Sequence, residues 1–560
     1  MFRPQFKIAT LLGALGLLNA CSSGGPDPEQ DPLAVLIEGT GVYTRQVSIE
    51  SVVAQTFFDQ GLRLTWGYHF PESVASYQEA LRHDSQHPMI YWGLALALGP
   101  VPNSRAVGLP DDPQGEAKQA IDRAMELINN GNEIEQAFVR ALNVRFDSDT
   151  YPNRDERDQA YLDAARNLFG MYPEDPDAGT LLGDAYMITR PRRDYWGEDG
   201  GPLPGTAEAA TALERVMELR PDHPGANHLY IHLLESSVMP EQALAAADRL
   251  APLMPGVGHV VHMPGHIYMQ IGQHDKNVEH NLRSAEVDGE FLDLWGETPF
   301  PTTSTYQLSA QNHRRHSYDF VRYSATVQGS YGLAVQAATD ARSHETDLRR
   351  ERGQADKTIA SLWIVHKIFG GWDELLTEER FGEGQQYLDG MWYYTQGSAH
   401  AALGDFDLAR EHLTQLRAVA ADPISETVMR NATPVSVLME IASTGLDGEI
   451  RQAEGDVEGA IAVFAASVAI EDTLGYTEPP DWPQSMRHYL GAALLEAGRA
   501  RDAERAYRQD LEDAPNDGWA LFGLWQSLDA QGRAEEAAEV ETTFSSAWQD
   551  ADVQLMRSRF

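Results

Sequence analysis

The 560-residue chain contains a single cysteine, Cys21. No intrachain disulfide can form, and no cluster of thiolates can surround a metal ion. Basic side chains are also scarce. Lysine and arginine number 43 against 84 aspartates and glutamates, a formal net charge of -41. Such a charge repels phosphate backbones, so nucleic acid is not an expected partner. Beyond the first residues no run of 18 uninterrupted apolar side chains occurs, and no membrane-spanning helix is predicted. A Gly-rich phosphate loop, a Gly-x-Ser-x-Gly elbow, a His-Glu-x-x-His helix and a Cys-x-x-Cys-His haem attachment are all missing. Their absence disfavours the familiar NTPase, serine hydrolase, zincin and c-type cytochrome classes. What is present is a folding composition, 42% hydrophobic and 23% charged. The length exceeds what one core usually serves, so several domains or a repeat array are expected.

Arg3 and Lys7 open the chain and precede Ile8–Leu18, an apolar run too short to span a bilayer comfortably. Leu18-Asn19-Ala20-Cys21 then resembles a bacterial lipobox. The resemblance implies a signal peptide over 1–20, cleavage before Cys21 and attachment of lipid to that cysteine. Ser22 in place of Asp resembles lipoproteins sorted to the outer membrane. A plain signal peptide with an incidental cysteine is the alternative. Residues 22–32 (SSGGPDPEQDP) read as a flexible tether within an N-terminal segment over 21–49. The expected protein is extracytoplasmic, facing the periplasm or the cell surface and touching the membrane only through its anchor.

Repetition is the strongest internal signal. Gly498 and Gly532 lie 34 residues apart, and each is followed five residues later by a small residue, Ala503 and Ala537. Units with Gly397, Gly404 and Ala409, with Gly455, Ala460 and Phe464, and with Gly61, Tyr77 and Ala80 fit the same template. Small residues let two helices approach, and large apolar ones fill the gap. This pattern resembles the tetratricopeptide repeat. FDQGLRL (58–64), YWGLALALGP (91–100) and HMPGHIY (262–268) also resemble a group of bacterial tetratricopeptide lipoproteins. The resemblance implies an all-α solenoid of antiparallel helix pairs, with one array over 50–345, a second over 346–545 and a tail over 546–560. Insertions at 101–115, 190–206, 286–311 and 475–487 are rich in Pro, Gly or Thr and read as loops or lids.

Eight of the 18 histidines fall between His223 and His280, where a uniform spread would place roughly two. His228, His232 and Glu235 share one helix stripe; His259, His262, His266 and Met269 form another. The stripes are in register, since His262, His266 and Met269 each lie 34 residues after His228, His232 and Glu235. Aligning Gly329 with the turn glycines adds His316 and Asp319, and aligning Gly491 adds His488. Neighbouring first helices stand roughly 10 Å apart, close enough for imidazoles from both to share an ion. With Gly265 at the helix crossing, the stripe points about 120° away from the core by helical-wheel geometry. Resemblance to the groove-lining stripe of tetratricopeptide proteins places these imidazoles on an open channel. Pro264 is expected to kink the second stripe.

The candidate metal ligands are therefore His228, His232, His262 and His266, with Glu235, His259, His316 and Asp319 as completing or orienting groups. The ion would be Cu, Fe, Zn or Mn, with copper favoured if Met269 ligates. An open coordination position would allow activation of water or dioxygen, leaving the reaction, if any, unspecified. A polar or acid-sensing groove is the competing reading of the same histidines. A scaffold binding peptide or protein partners in the envelope without metal is the competing function, and a glycan or peptide capture protein a third. Trp482 is a candidate roof over the groove, though an ordered loop packing on its own solenoid is the favoured reading. Trp66, Trp92 and Trp363 fall at core spacing, while His83, His87, His274, His344 and His412 read as surface residues.

Overall fold

The structure, a computed structural model, describes residues 32–99, 113–190, 194–197, 199–295, 309–345, 350, 355–430 and 433–560. The expected signal peptide over 1–20 and Cys21 lie outside the described residues, as does most of the 101–115 insertion.

Helix follows helix. Val52–Trp66 pairs with Phe70–His83, Pro176–Ile188 with Thr206–Leu219, and Gly518–Ala530 with Ala534–Ala547. Among the described residues strand pairing is confined to Met429–Arg430 against Thr433–Pro434 and one bridge between Trp196 and Pro202. First helices commonly begin with Pro in the first turn, where its missing N–H costs no bond, behind a capping side chain such as Asp175, His87 or His223. They end at turn glycines: Gly498 and Gly532 both take φ 72°, a left-handed conformation costly for any residue with a Cβ.

The pairs close around tyrosines. The Tyr77 ring lies against Gly61 of its own pair and Gly93 of the next, and Tyr507 lies against Gly491 and Gly523 in the same way. A repeated glycine–tyrosine contact at both ends of the chain is the packing expected of tetratricopeptide helices, and the fold is the all-α solenoid that the periodicity implied. Two apolar cores result, one running from Ala34 to Phe291 and the other from Ala325 to Ala537. Trp66, Trp92 and Trp363 are fully buried in them.

Both ends of the described residues are tied down. In the N-terminal segment Arg45 pairs with Asp175 and Asp177, each at 2.9 Å, and the Tyr43 hydroxyl donates to Asp177 at 2.7 Å. The tail also packs: Ser558 donates to the His488 carbonyl at 2.8 Å, and the Phe560 ring lies 5.7 Å from Trp519. The C-terminal pairs fold back onto the middle of the chain. Trp519 Nε1 donates to the Thr326 carbonyl at 2.8 Å, and Asn516 Nδ2 donates to the Gly272 carbonyl at 3.1 Å. This return carries the 475–485 loop over the end of the histidine-bearing helices, with Lys357 holding the Pro479 carbonyl at 2.8 Å. Of the 286–311 insertion, the first part continues the preceding helix to Trp295 and the last part begins the helix at Ser309, while residues 296–308 lie outside the described residues.

Candidate metal centre

Three stretches of helix supply the histidines. His228 and His232 project from Pro224–Leu234, with Glu235 at its C-cap. As Pro264 implied, the next first helix is broken at Met263 into Gly258–His262 and Pro264–Gln270. His259 and His262 stand before the break and His266 after it. His313 and His316 come from Ser309–Val327.

The imidazole nitrogens divide by role. His228 Nδ1 donates to the Trp66 carbonyl at 2.5 Å, and His262 Nδ1 donates to Asn281 Oδ1 at 2.5 Å. Asn281 is oriented by donating its own amide N–H to the Asn277 carbonyl at 2.9 Å. His232 Nδ1 lies 3.1 Å from Glu235 Oε1, and His266 Nδ1 lies 2.9 Å from Glu235 Oε2 and 2.7 Å from Glu478 Oε2. The opposite nitrogens converge: His228 Nε2 is 3.1 Å from both His232 Nε2 and His259 Nε2, and His262 Nε2 is 2.7 Å from His266 Nε2. Engaging Nδ1 with an oxygen fixes the tautomer and ring plane and leaves the Nε2 lone pair as the ligating atom.

Burial and the neighbouring rings hold His228, His259, His262 and His316 well below the ordinary imidazole range, so these four are neutral at physiological pH. His266 is the exception. Burial alone would lower it, but Glu478 and Glu235 outweigh that effect and push it up to about 9. The ring of Tyr68, a residue at φ 57°, packs 4.4 Å from His228 and stacks over His232 and His259 at 5.6 and 5.4 Å. Phe320 covers the other side, 4.5 Å from His262, 4.9 Å from His266 and 5.0 Å from His316.

The register places the expected histidines together, but their surroundings differ from the expectation. His228, His232, His262 and His266 are only 0–3% exposed, so they do not face an open channel. The turn at Trp66–Tyr68 and the returning loop with Glu478 fill the groove they would have lined. Asp319 stands apart from the rings, paired with Arg322 at 2.7 Å and facing Lys357 at 3.9 Å. Met269 is buried and lines a neighbouring cavity. Trp482 is buried in the second core, 5.5 Å from Tyr394, as a loop packing on its own solenoid. His488 occupies a separate place, with Nε2 2.9 Å from Asp510 and 3.4 Å from Asp517. His87 and His274, read as surface residues, are buried as well: His87 Nδ1 caps a helix by accepting from Met89 N–H, and His274 Nδ1 meets Ser324 Oγ at 3.0 Å. Glu478, His313, Tyr68, Asn281 and Phe320 are contributors that the sequence did not single out. Only His313 carried a signal, being three residues before His316 on one helix.

No family model and no curated protein matches this chain. Among solved structures, the chain is similar to the human IFIT1 dimer with m7Gppp-AAAA, at 13% identity over 87% of this chain and 95% of that one, with a TM-score of 0.33. It is likewise similar to the APC/C heterotetramer Cut9–Hcn1, at 13% identity over 89% of this chain and 96% of that one, with a TM-score of 0.29. Superpositions this loose transfer nothing about ligands or partners, and the repeat assignment rests on the helix pairs and glycine–tyrosine contacts described above.

Proposed function

We propose that this chain is a lipid-anchored, extracytoplasmic solenoid whose interior holds a transition metal on histidine nitrogens. The observation that supports it is the meeting of lone pairs. With Nδ1–H directed at an oxygen, Nε2 of His228, His232 and His262 presents a lone pair, yet His228 Nε2 and His232 Nε2 face each other at 3.1 Å and His262 Nε2 faces His266 Nε2 at 2.7 Å. Two lone pairs at that distance repel unless a cation lies between them. A proton between two rings relieves one pair, but protonating adjacent buried rings sets like charges side by side. A divalent ion between two such nitrogens relieves the repulsion without charging either ring. Two nitrogens 3.1 Å apart, each about 2.1 Å from a common ion, subtend about 95° there, a workable ligand angle. Imidazole donors suit Cu, Zn and Fe better than Mn.

The test is elemental analysis of protein beginning after Cys21 and purified without a His-tag. Metal that remains bound through gel filtration supports the reading, and protein that stays metal-free after reconstitution with each of the four ions contradicts it. The anchor is tested separately: Cys21→Ser should release the protein from the membrane fraction, and continued membrane association would count against acylation.

A second reading, a scaffold for a peptide or protein partner, draws on a different feature. Beside the histidines a cavity of about 650 Å³ between the two arrays is lined by acidic residues such as Asp472, Asp510 and Asp517 together with Arg487 and His488. Arg487 pairs with Asp472, and His488 with Asp510 and Asp517, so the lining carries both signs and suits a short polar peptide segment. Binding that weakens with salt and survives substitution of the histidines would favour this reading.

A further inference from the structure

Resting on the metal reading above, we infer that the site holds two ions rather than one, each on its own triad of imidazoles. His228, His232 and His259 bring one ligand nitrogen each to within 4.8 Å of one another, and His262, His266 and His316 do the same. Each triad has a central ring. His228 lies 4.8 Å from His232 and 5.0 Å from His259 between ring centres; His262 lies 4.6 Å from His266 and 4.8 Å from His316. The third side of each triad, 6.1 Å for His232 to His259 and 6.4 Å for His266 to His316, matches the approaches between triads, 5.9 Å for His232 to His266 and 6.1 Å for His259 to His262, so the division rests on the ligand nitrogens that each central ring gathers.

The duplication follows from the repeat. His262 and His266 are the 34-residue images of His228 and His232, and in each triad the third ring comes from the following first helix. For the first triad that helix is Gly258–His262, and for the second it is Ser309–Val327. The break at Met263 lets one strand of helix serve both, with His259 turned to the preceding triad and His266 to the following one. Each triad also has its own aromatic cover, Tyr68 over the first and Phe320 over the second.

Glu235 is the link. Its two oxygens stand by Nδ1 of His232 and Nδ1 of His266, one ring from each triad, so a single carboxylate orients a ligand of both ions. A metal with three imidazole nitrogens keeps at least one position open, as sites that bind a small exogenous molecule do. Glu478 adds an oxygen on the second triad alone, within 4.8 Å of both Glu235 and His266. The donor set is nitrogen-rich and thiolate-free, which fits Cu²⁺ or Zn²⁺.

The test is a stoichiometric titration of chelator-stripped protein with Cu²⁺ alone and with Zn²⁺ alone, followed by elemental analysis after desalting. The wild type should retain two equivalents. His259→Gln and His316→Gln change half-buried rings unique to one triad and should each leave one tightly bound equivalent. His228→Ala/His232→Ala and His262→Ala/His266→Ala should do likewise, with circular dichroism and thermal melts confirming that each is folded. One equivalent in the wild type, abolished by either double substitution, would overturn the pair of ions while leaving the metal reading intact. Loss of both equivalents in every folded variant would overturn the independence of the triads, and no binding by the wild type would sink both proposals.

Discussion

Glu235 Oε2 stands 2.9 Å from Nδ1 of His266, a histidine contributed by the next repeat. The carboxylate closes its own helix and reaches across to orient a ring on the neighbouring one, so the site depends on how two repeats stack as well as on either alone.

Glu235→Gln keeps the size of the side chain but removes the charge that faces two imidazoles. Loss of such an orienting partner typically lowers metal affinity about 10–100-fold. Competition against a chromophoric chelator measures the change. Unaltered affinity would show that His232 and His266 are held by packing alone.

His69 gives a pH dependence separate from the centre. It is fully buried against the edge of Phe291, and neither ring nitrogen has a hydrogen-bond partner among the described residues. Burial, helped by nearby His313, lowers it to about 3. Its contribution to stability is therefore intact above the unfolded-state value near 6.5 and falls as pH drops from there towards 3. His69→Phe removes that loss, and should gain about 2 kcal/mol at pH 5 relative to its effect at pH 7.5. Urea unfolding at the two values tests it, and an equal effect at both would contradict the assignment.

His488 has the opposite sign. Burial opposes its protonation, but Asp510 and Asp517 outweigh burial and raise it to about 9. Its ion pairs contribute fully below about pH 6.5 and are lost as pH rises through 9. His488→Gln should thus be destabilising at pH 6.5, and its deficit against the wild type should shrink by pH 9.5. A constant deficit would mean that packing, not charge, is what the ring supplies.

Gly523 touches Tyr507 so closely that a methyl group there would overlap the ring. Gly523→Ala should cost about 1–3 kcal/mol, the usual range for overpacking, without altering metal content. Chemical denaturation read alongside elemental analysis separates the two effects. A stable variant would show that the Tyr507 ring has room to move.

The helix pairs were legible because glycine and alanine recur with the period at which the helices cross. The core of the site was legible for the same reason: His228 with His262, and His232 with His266, keep the 34-residue register. Their burial was not. A helical wheel gives a direction around one helix but not what fills it. What fills that direction is Glu478, more than two hundred residues later, from a loop with no period of its own. Asp319 illustrates the converse. It lies three residues after His316, as the stripe required, but Arg322 and Lys357 attract it more strongly than a set of neutral rings.

The most direct measurement is X-ray absorption at the metal edge of the reconstituted protein. A first shell of nitrogen scatterers at about 2.0–2.1 Å, with the outer-shell pattern of imidazole, is expected, and it should lose amplitude in His262→Ala/His266→Ala. A shell of oxygen alone, or one unchanged by that double substitution, would place the metal elsewhere and contradict the histidine centre.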